Sequence, residues 1–273
     1  MKISVLMSVY AKEKPQYLTE ALNSILVQTV KPNEFVIVKD GLLPSDLDEV
    51  ITQFESRCTE FNVIIIQLSR NLGLGLALNE GLKECHFDWI LRMDSDDISR
   101  NNRIEIMKIA VLEDGKAHDV YGSHLEEFMD FRDLKQRRMV KLTHDQILAD
   151  LRVKNPMNHV TILAKRQSIQ RAGGYQDFKS FEDYYLWARM LKLGYKFKNI
   201  DCITVNVRIG EMMFEKRRGW FYFKQEFRMQ KFLYQSNLTS GIDFTFNTIL
   251  RCSVRLFPVW VIEIVYNFYR KKN

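Results

Sequence analysis

The chain has 273 residues, 46% of them hydrophobic, which is enough for one large domain with a substantial core and excludes a disordered or fibrous protein. Four widely spaced cysteines, Cys58, Cys85, Cys202 and Cys252, form no CxxC or Cys/His cluster, so neither a zinc site nor a disulfide framework is indicated and a reducing, cytoplasmic compartment is expected. The net charge of +6 is uneven: from Phe214 onward 11 Lys/Arg face 4 Asp/Glu, leaving 29 bases against 30 acids before it, so the basic character belongs to the C-terminal end.

The opening MKISVLMSVY is followed at once by the charged AKEKPQ, without a small-residue cleavage site, and reads as a first strand and not as a signal peptide. Over the first hundred residues, apolar β-branched runs at 3–9, 35–38, 63–68 and 89–93 alternate with helix-length stretches. After Pro15, a residue suited to a helix's first turn, Tyr17, Leu18, Ala21, Leu22, Ile25 and Leu26 share one helical face. This βαβ alternation predicts an α/β fold with a mainly parallel sheet and helices on both faces. Ligands of such sheets bind beyond the carboxyl ends of the strands. The residues there are Tyr10, then Asp40 and Gly41, then Arg70 and Asn71, then Asp94, Asp96 and Asp97.

A second section, about 120–207, mixes strand-like runs at 120–129, 160–164 and 203–207 with an amphipathic helix over 181–193 and is expected to extend the sheet. Without repeats or a low-complexity linker, residues 1–118 and 119–213 read as two parts of one domain, with 214–273 as a basic, aromatic helical tail.

Trp-Ile-Leu-Arg-Met-Asp-Ser-Asp-Asp, residues 89–97, ends an apolar strand in three carboxylates within four positions, whose mutual repulsion a hard divalent cation would relieve. Magnesium or manganese commonly bridges such carboxylates to substrate phosphates. The competing reading is an acidic turn capping a helix from Asn101. Asp40-Gly41 fits either a carboxylate accepting a base N–H or an ordinary turn. The segment RNLGLGLALN follows a strand and opens a helix, but a dinucleotide fingerprint fails at its third glycine, where Leu78 stands.

Taken in order, SVLMSVY, VKDG, RNLGLGLALNEGL, DSDD, GGY and FEDYYLW resemble family 2 glycosyltransferases of the GT-A fold, especially bacterial enzymes that build capsule, O-antigen and exopolysaccharide, from Ile3 to about Trp220. The resemblance implies an inverting transferase moving a hexose or N-acetylhexosamine from a UDP-sugar to a hydroxyl of a growing, lipid-linked bacterial surface glycan, with Mn2+ or Mg2+. Residues 119–213 would form the acceptor side. By the same resemblance Asp40 contacts uracil, with Tyr10, Arg70 and Asn71 beside the donor. Asp94, Asp96 and Asp97 hold the ribose and the metal diphosphate, with Asp96 and Asp97 on the metal. Asp183 is the general base and Glu182 supports it. Lys39 stands where many members carry a first acid, and Leu42 replaces a frequent serine. Asn158-His159 fits a motif often found before the Gly173-Gly174-Tyr175 turn, which gives His159 a role at the diphosphate or acceptor, or a structural one. Arg217 and Arg218 lie in a basic motif suited to a departing diphosphate or to a solvated patch. A nucleotide-sugar hydrolase or nucleotidyltransferase, and a catalytically silent nucleotide-sugar or membrane-binding module, are the alternatives.

In the tail, FEKRRGWFYFKQEFRMQKFLYQ interleaves aromatics with bases, and Trp260, Val261, Ile264, Val265 and Phe268 share one helical face. Arg255, Pro258 and Glu263 interrupt the apolar stretch, which is short for a membrane span. Such helices lie on an anionic membrane or pack on the domain, and peripheral contact with the inner face of the cell membrane is expected. Nucleic acid is not an expected partner, because no recognition motif accompanies the charge.

Overall fold

The computed structural model describes residues 1–129, 132–210 and 218–257, with side chains described for all of these except 132–135. Arg217 and the helical face at 260–268 lie outside the described residues.

The first half follows the predicted alternation: β1 (Ile3–Tyr10), α1 (Pro15–Leu26), β2 (Glu34–Asp40), α2 (Ser45–Arg57), β3 (Asn62–Gln67), α3 (Leu74–Glu84) and β4 (Trp89–Met93). These strands run parallel in the order β3-β2-β1-β4. The two-residue period of a strand divides its side chains between two cores. Ile3, Val5, Met7 and Val9 of β1, with Leu91 and Met93 of β4, pack with Leu18, Leu22 and Ile25 of α1. Leu6 of β1, Val36 and Val38 of β2 and Ile90 of β4 pack on the other side with Ala77 and Leu78 of α3. Gly81 makes that second contact close, since a Cβ there would lie 2.3 Å from Leu6 Cδ1 and 2.7 Å from Val38 Cγ2.

The second half comprises β5 (Ile98–Ser99), α4 (Arg103–Glu113), β6 (Val120–Met129), β7 (Arg132–Arg138), α5 (His144–Leu151), β8 (Leu163–Lys165), α6 (Arg166–Arg171), α7 (Glu182–Lys192) and β9 (Phe197–Arg208). It continues the same sheet as β4-β8-β6-β9-β5, with β7 on β6, in mixed directions: β6 and β9 are parallel, whereas β8, β7 and β5 join antiparallel. Two sequence expectations are corrected here. The run at 160–164 divides into a 3-10 turn, His159–Thr161, and the short strand β8, because Thr161 Oγ1 turns back to the Asn158 and Ser123 carbonyls. The run at 203–207 is only the end of the twelve-residue β9, whose earlier residues pair with β6 despite their polar composition.

After β9 come α8 (Gly219–Gln235), α9 (Gly241–Asn247) and a π-helical turn, Thr248–Cys252. Glu226 of α8, fully buried, pairs with Arg251 at 2.7 Å and Arg255 at 2.9 Å and ties these helices together. Burying one acid requires such cationic partners, which here hold its carboxyl down at about 2 against the opposing effect of burial. No helix among the described residues is long and apolar enough to cross a membrane.

Candidate active site

The parallel register brings the predicted strand ends together, with Tyr10 opposite Asp40 and Met7 opposite Met93, so the chain leaving β4 passes beside the end of β1. Asp94, Asp96 and Asp97 each direct a carboxylate oxygen to one place, all within 4.8 Å of one another. The strand β5 and Arg100–Asn102 separate them from α4, whose N-cap is Asn102, so the reading of these acids as helix caps does not hold. Asp97 is 2% exposed. Burial first, then Asp94 and Glu13, pushes the Asp96 carboxyl up to about 7. Burial, Asp94 and Asp96 push Asp97 well above the ordinary carboxylate range, against a hydrogen bond from Arg208 N at 2.9 Å. Arg92 opposes these shifts without cancelling them, and three converging carboxylate oxygens are the donor set that Mg2+ or Mn2+ takes. The residues fit a divalent cation.

Four participants were not singled out in the sequence. Arg92, on β4 and fully buried, forms an ion pair with Asp94, which more than offsets the cost of burying its guanidinium. It alternates with Leu91 and Met93 and so stands on the sheet face shared with α3 and α7. A lone base in an otherwise apolar strand was the available signal. Arg208 ends β9: its Nε donates to the Asp96 carbonyl at 3.1 Å, its guanidinium reaches Glu20, and it lies 4.0 Å from the Tyr17 ring centroid. The strand-end rule would have found it had the run at 203–207 been extended by one residue. Glu13 accepts from Ser95 Oγ at 2.6 Å and, with Asp96, raises the half-exposed Tyr10 after burial has done so. Arg103, buried in α4, donates to the carbonyls of Arg92 and Val160 at 2.7 Å each, and burial together with Arg92 lowers its pKa to about 9.

Asp40, expected at the nucleotide base, also anchors the neighbouring loop. It is 2% exposed, and its two oxygens accept from Leu72 N at 2.6 Å and Gly73 N at 3.0 Å. The carboxylate thereby shapes the loop bearing the exposed Arg70 and Asn71, each oxygen keeping further acceptor capacity. Gly41, at φ +89°, lets that loop approach: a Cβ there would lie 2.7 Å from Asn71 N.

The second acidic pair begins α7. Gly75 of α3 admits Glu182, whose Cγ would lie 2.9 Å from a Cβ at that position. The GGY turn is clamped by Asn79, whose Oδ1 accepts from Tyr175 N at 2.8 Å and whose amide donates to the Tyr175 carbonyl. Asp183 does not cap the helix in the usual manner, since Phe181 is the N-cap. Its Oδ1 accepts from Tyr184 N at 2.8 Å and its Oδ2 from Asn155 Nδ2 at 2.6 Å. Burial raises both carboxyls; at Asp183 the Tyr184 N–H, Asn155, Arg138 and Arg92 oppose it. Arg92 also acts on Asp94, Asp96 and Asp97, so one buried charge lies within electrostatic reach of both acidic groups.

His159 is half-buried. Its Nε2 meets Tyr175 Oη at 2.7 Å, and its ring lies against Trp187. Burial and then Arg92 hold its pKa well below the usual value, and its contact with Tyr175 braces the GGY turn. Arg218 is exposed at the N-terminus of α8.

Residues 4–175 match the family model described as glycosyl transferase family 2. The chain is 37% identical over 258 residues to an Escherichia coli UDP-Gal:alpha-D-GlcNAc-diphosphoundecaprenol beta-1,3-galactosyltransferase, covering 94% of this chain and 92% of that one. It is 35% identical to an amylovoran biosynthesis glycosyltransferase of Erwinia amylovora, over 98% and 99% of the two chains. The crystal structure of S. aureus TarS 1-349 in complex with UDP-GlcNAc superimposes with a TM-score of 0.68 at 20% identity, over 92% of this chain and 72% of that one.

Proposed function

The chain belongs to glycosyltransferase family 2, and from that premise we propose that it moves a hexose or N-acetylhexosamine from a UDP-sugar, with inversion, to a hydroxyl of a growing lipid-linked surface glycan. What carries this reading is the pairing of two unlike acidic groups about one buried arginine: Asp94, Asp96 and Asp97 at the strand ends, and Glu182 with Asp183 at the start of α7. The relatives' printed substrates, a UDP-sugar donor and a diphosphoundecaprenol-linked acceptor, support the donor and acceptor classes.

Asp96 and Asp97, with Asp94 beside them, would hold Mg2+ or Mn2+, which when bound supplies Lewis-acid stabilisation to the leaving diphosphate. Tyr10, Asp40, Arg70 and Asn71 receive the nucleotide, with Asp40 at the uracil base. Arg218 and the neighbouring Arg217 supply positive charge toward the diphosphate. The acceptor oxygen attacks the anomeric carbon opposite the diphosphate. As the new C–O bond forms, the old one breaks with its electron pair on the diphosphate, and the acceptor proton passes to the Asp183 carboxylate. One displacement inverts the centre. Glu182 supports Asp183, and Asn155 fixes its orientation.

The test offers UDP-, GDP- and dTDP-sugars with Mn2+ or Mg2+ and a diphosphate-lipid acceptor, and reads the anomeric configuration of the product. Transfer from UDP-sugar with the configuration reversed is expected. Donor hydrolysis indifferent to acceptor, or transfer from another nucleotide class alone, overturns the reading. A lipid-linked acceptor also calls for peripheral contact with the membrane's inner face.

A further inference from the structure

We propose that residues 241–252 form a membrane foot, whose outer face enters the interfacial layer of an anionic bilayer. The inference rests on the lipid-linked acceptor for its biological sense, while the surface itself is read from the fold. Ile242, Phe246 and Ile249 stand at i, i+4 and i+7, the spacing of one helical stripe, and are 83%, 64% and 66% exposed. Surface helices of a water-facing protein turn such a stripe inward. This one turns its other side inward: Asn247 and Cys252 are buried, Asn247 Nδ2 donates to the Arg152 carbonyl at 2.7 Å, and Arg251 holds Glu226 and the Val153 carbonyl. The inner face is thus fixed by polar bonds, and the apolar face is left uncovered by the described residues.

The charge beside the stripe selects the occupant. On α8, Lys224, Phe227, Lys231 and Tyr234 recur at helical spacing and are exposed. The rings of Phe227 and Tyr234 meet Phe244 of α9 at 6.3 and 5.2 Å, which packs the lysine-bearing side of α8 against α9. Between Arg218 and Phe257 the acids are Glu226 and Asp243, and both are engaged, the first with Arg251 and Arg255 and the second in the Ser240 capping box. The segment therefore joins an exposed apolar stripe to exposed, unbalanced positive charge at Arg218, Lys224, Arg228 and Lys231, the combination that suits anionic headgroups and would repel a second copy of itself. The helix α8, on which this segment packs, also reaches the catalytic edge: Tyr222 Oη donates to Ser180 Oγ at 3.0 Å and Arg228 to the Asp177 carbonyl at 3.4 Å, both in the turn leading to Glu182. A bilayer under the foot brings its lipid-borne sugars to that edge.

The experiment compares the full chain with a combined Ile242→Ser, Phe246→Ser, Ile249→Ser variant by cosedimentation with phosphatidylglycerol and phosphatidylethanolamine vesicles. The partition coefficient should fall about tenfold or more, with melting temperature and sedimenting size unchanged. A Lys224→Gln, Lys231→Gln variant should lose about fivefold per lysine and show a flatter salt dependence. Unchanged partition overturns the proposal. So does a lowered melting temperature, which would mean that the protein itself covers the stripe, or a change in oligomer size, which would assign the stripe to self-association. Vesicle binding needs no turnover, so failure here is separable from failure of the transferase reading, which transfer to a water-soluble acceptor reports independently.

Discussion

The protein carries two acidic groups with opposite problems. Asp94, Asp96 and Asp97 crowd three carboxylates at the end of β4, where burial and their own repulsion raise the pKa of Asp96 and Asp97. Asp183 is also raised by burial, yet a backbone N–H and the Asn155 amide meet its oxygens and pull the other way. On the proposed reading the first group is completed by a cation, whereas in the second Asp183 is held in the one orientation that a general base requires. Elevated pKa alone does not distinguish them, but the cause of the elevation does.

The sharpest division comes from Asp183→Asn, which keeps shape and most polar contacts while removing the base. Transfer should fall by about 10²–10⁴-fold, with UDP affinity and melting temperature near those of the parent in calorimetry; a variant retaining most of its turnover breaks the distinction from the acidic cluster. Asp97→Ala should act on the other side. Metal-dependent UDP binding should weaken about a hundredfold while the fold persists, and titration calorimetry with and without Mn2+ reads it.

Asn155→Ala sharpens the comparison by removing one of the two donors to Asp183. The remaining carboxyl then has a still higher pKa, so the acid limb of the rate-against-pH profile should move upward, with about a tenfold loss of rate near neutrality. A profile that falls in height without moving would give Asn155 a purely structural part.

The smallest effect concerns stability. A carboxyl raised in the folded state disfavours folding once the unfolded chain would ionise it, so the Asp96 contribution should lower stability as pH rises from its ordinary 3.8 toward about 7. Without metal the melting temperature should therefore be higher at the acid end of that window, as far as this cluster contributes. Mn2+ should raise it selectively at the upper end, where the carboxylates are ionised, as differential scanning calorimetry would show. Equal stabilisation at both ends would place the metal elsewhere.

Much of the framework was legible because it is local. Apolar runs of strand length, separated by stretches with helical spacing, specify β1–β4 and their helices, and the position of a strand's end follows directly. That suffices to bring Tyr10, Asp40, Arg70 and the three aspartates to one edge. The amphipathic face of α7 equally locates Glu182 and Asp183 at its start. The short strand β5 and the arginine-rich β7 were invisible to hydrophobic periodicity, since their pairing depends on β9 and β6 rather than on their own composition.

What each acid touches was decided only by the tertiary structure. Asp40 anchors a loop through two backbone N–H groups more than thirty residues away, at Leu72 and Gly73. Arg208 reaches Asp97 across 111 positions of sequence, and Asn155 reaches Asp183 across 28. A strand or helix pattern reports which face of its own segment is apolar. The partners that satisfy a buried carboxylate come from other segments, and their hydrogen bonds and charges exist only once the chain has closed around it.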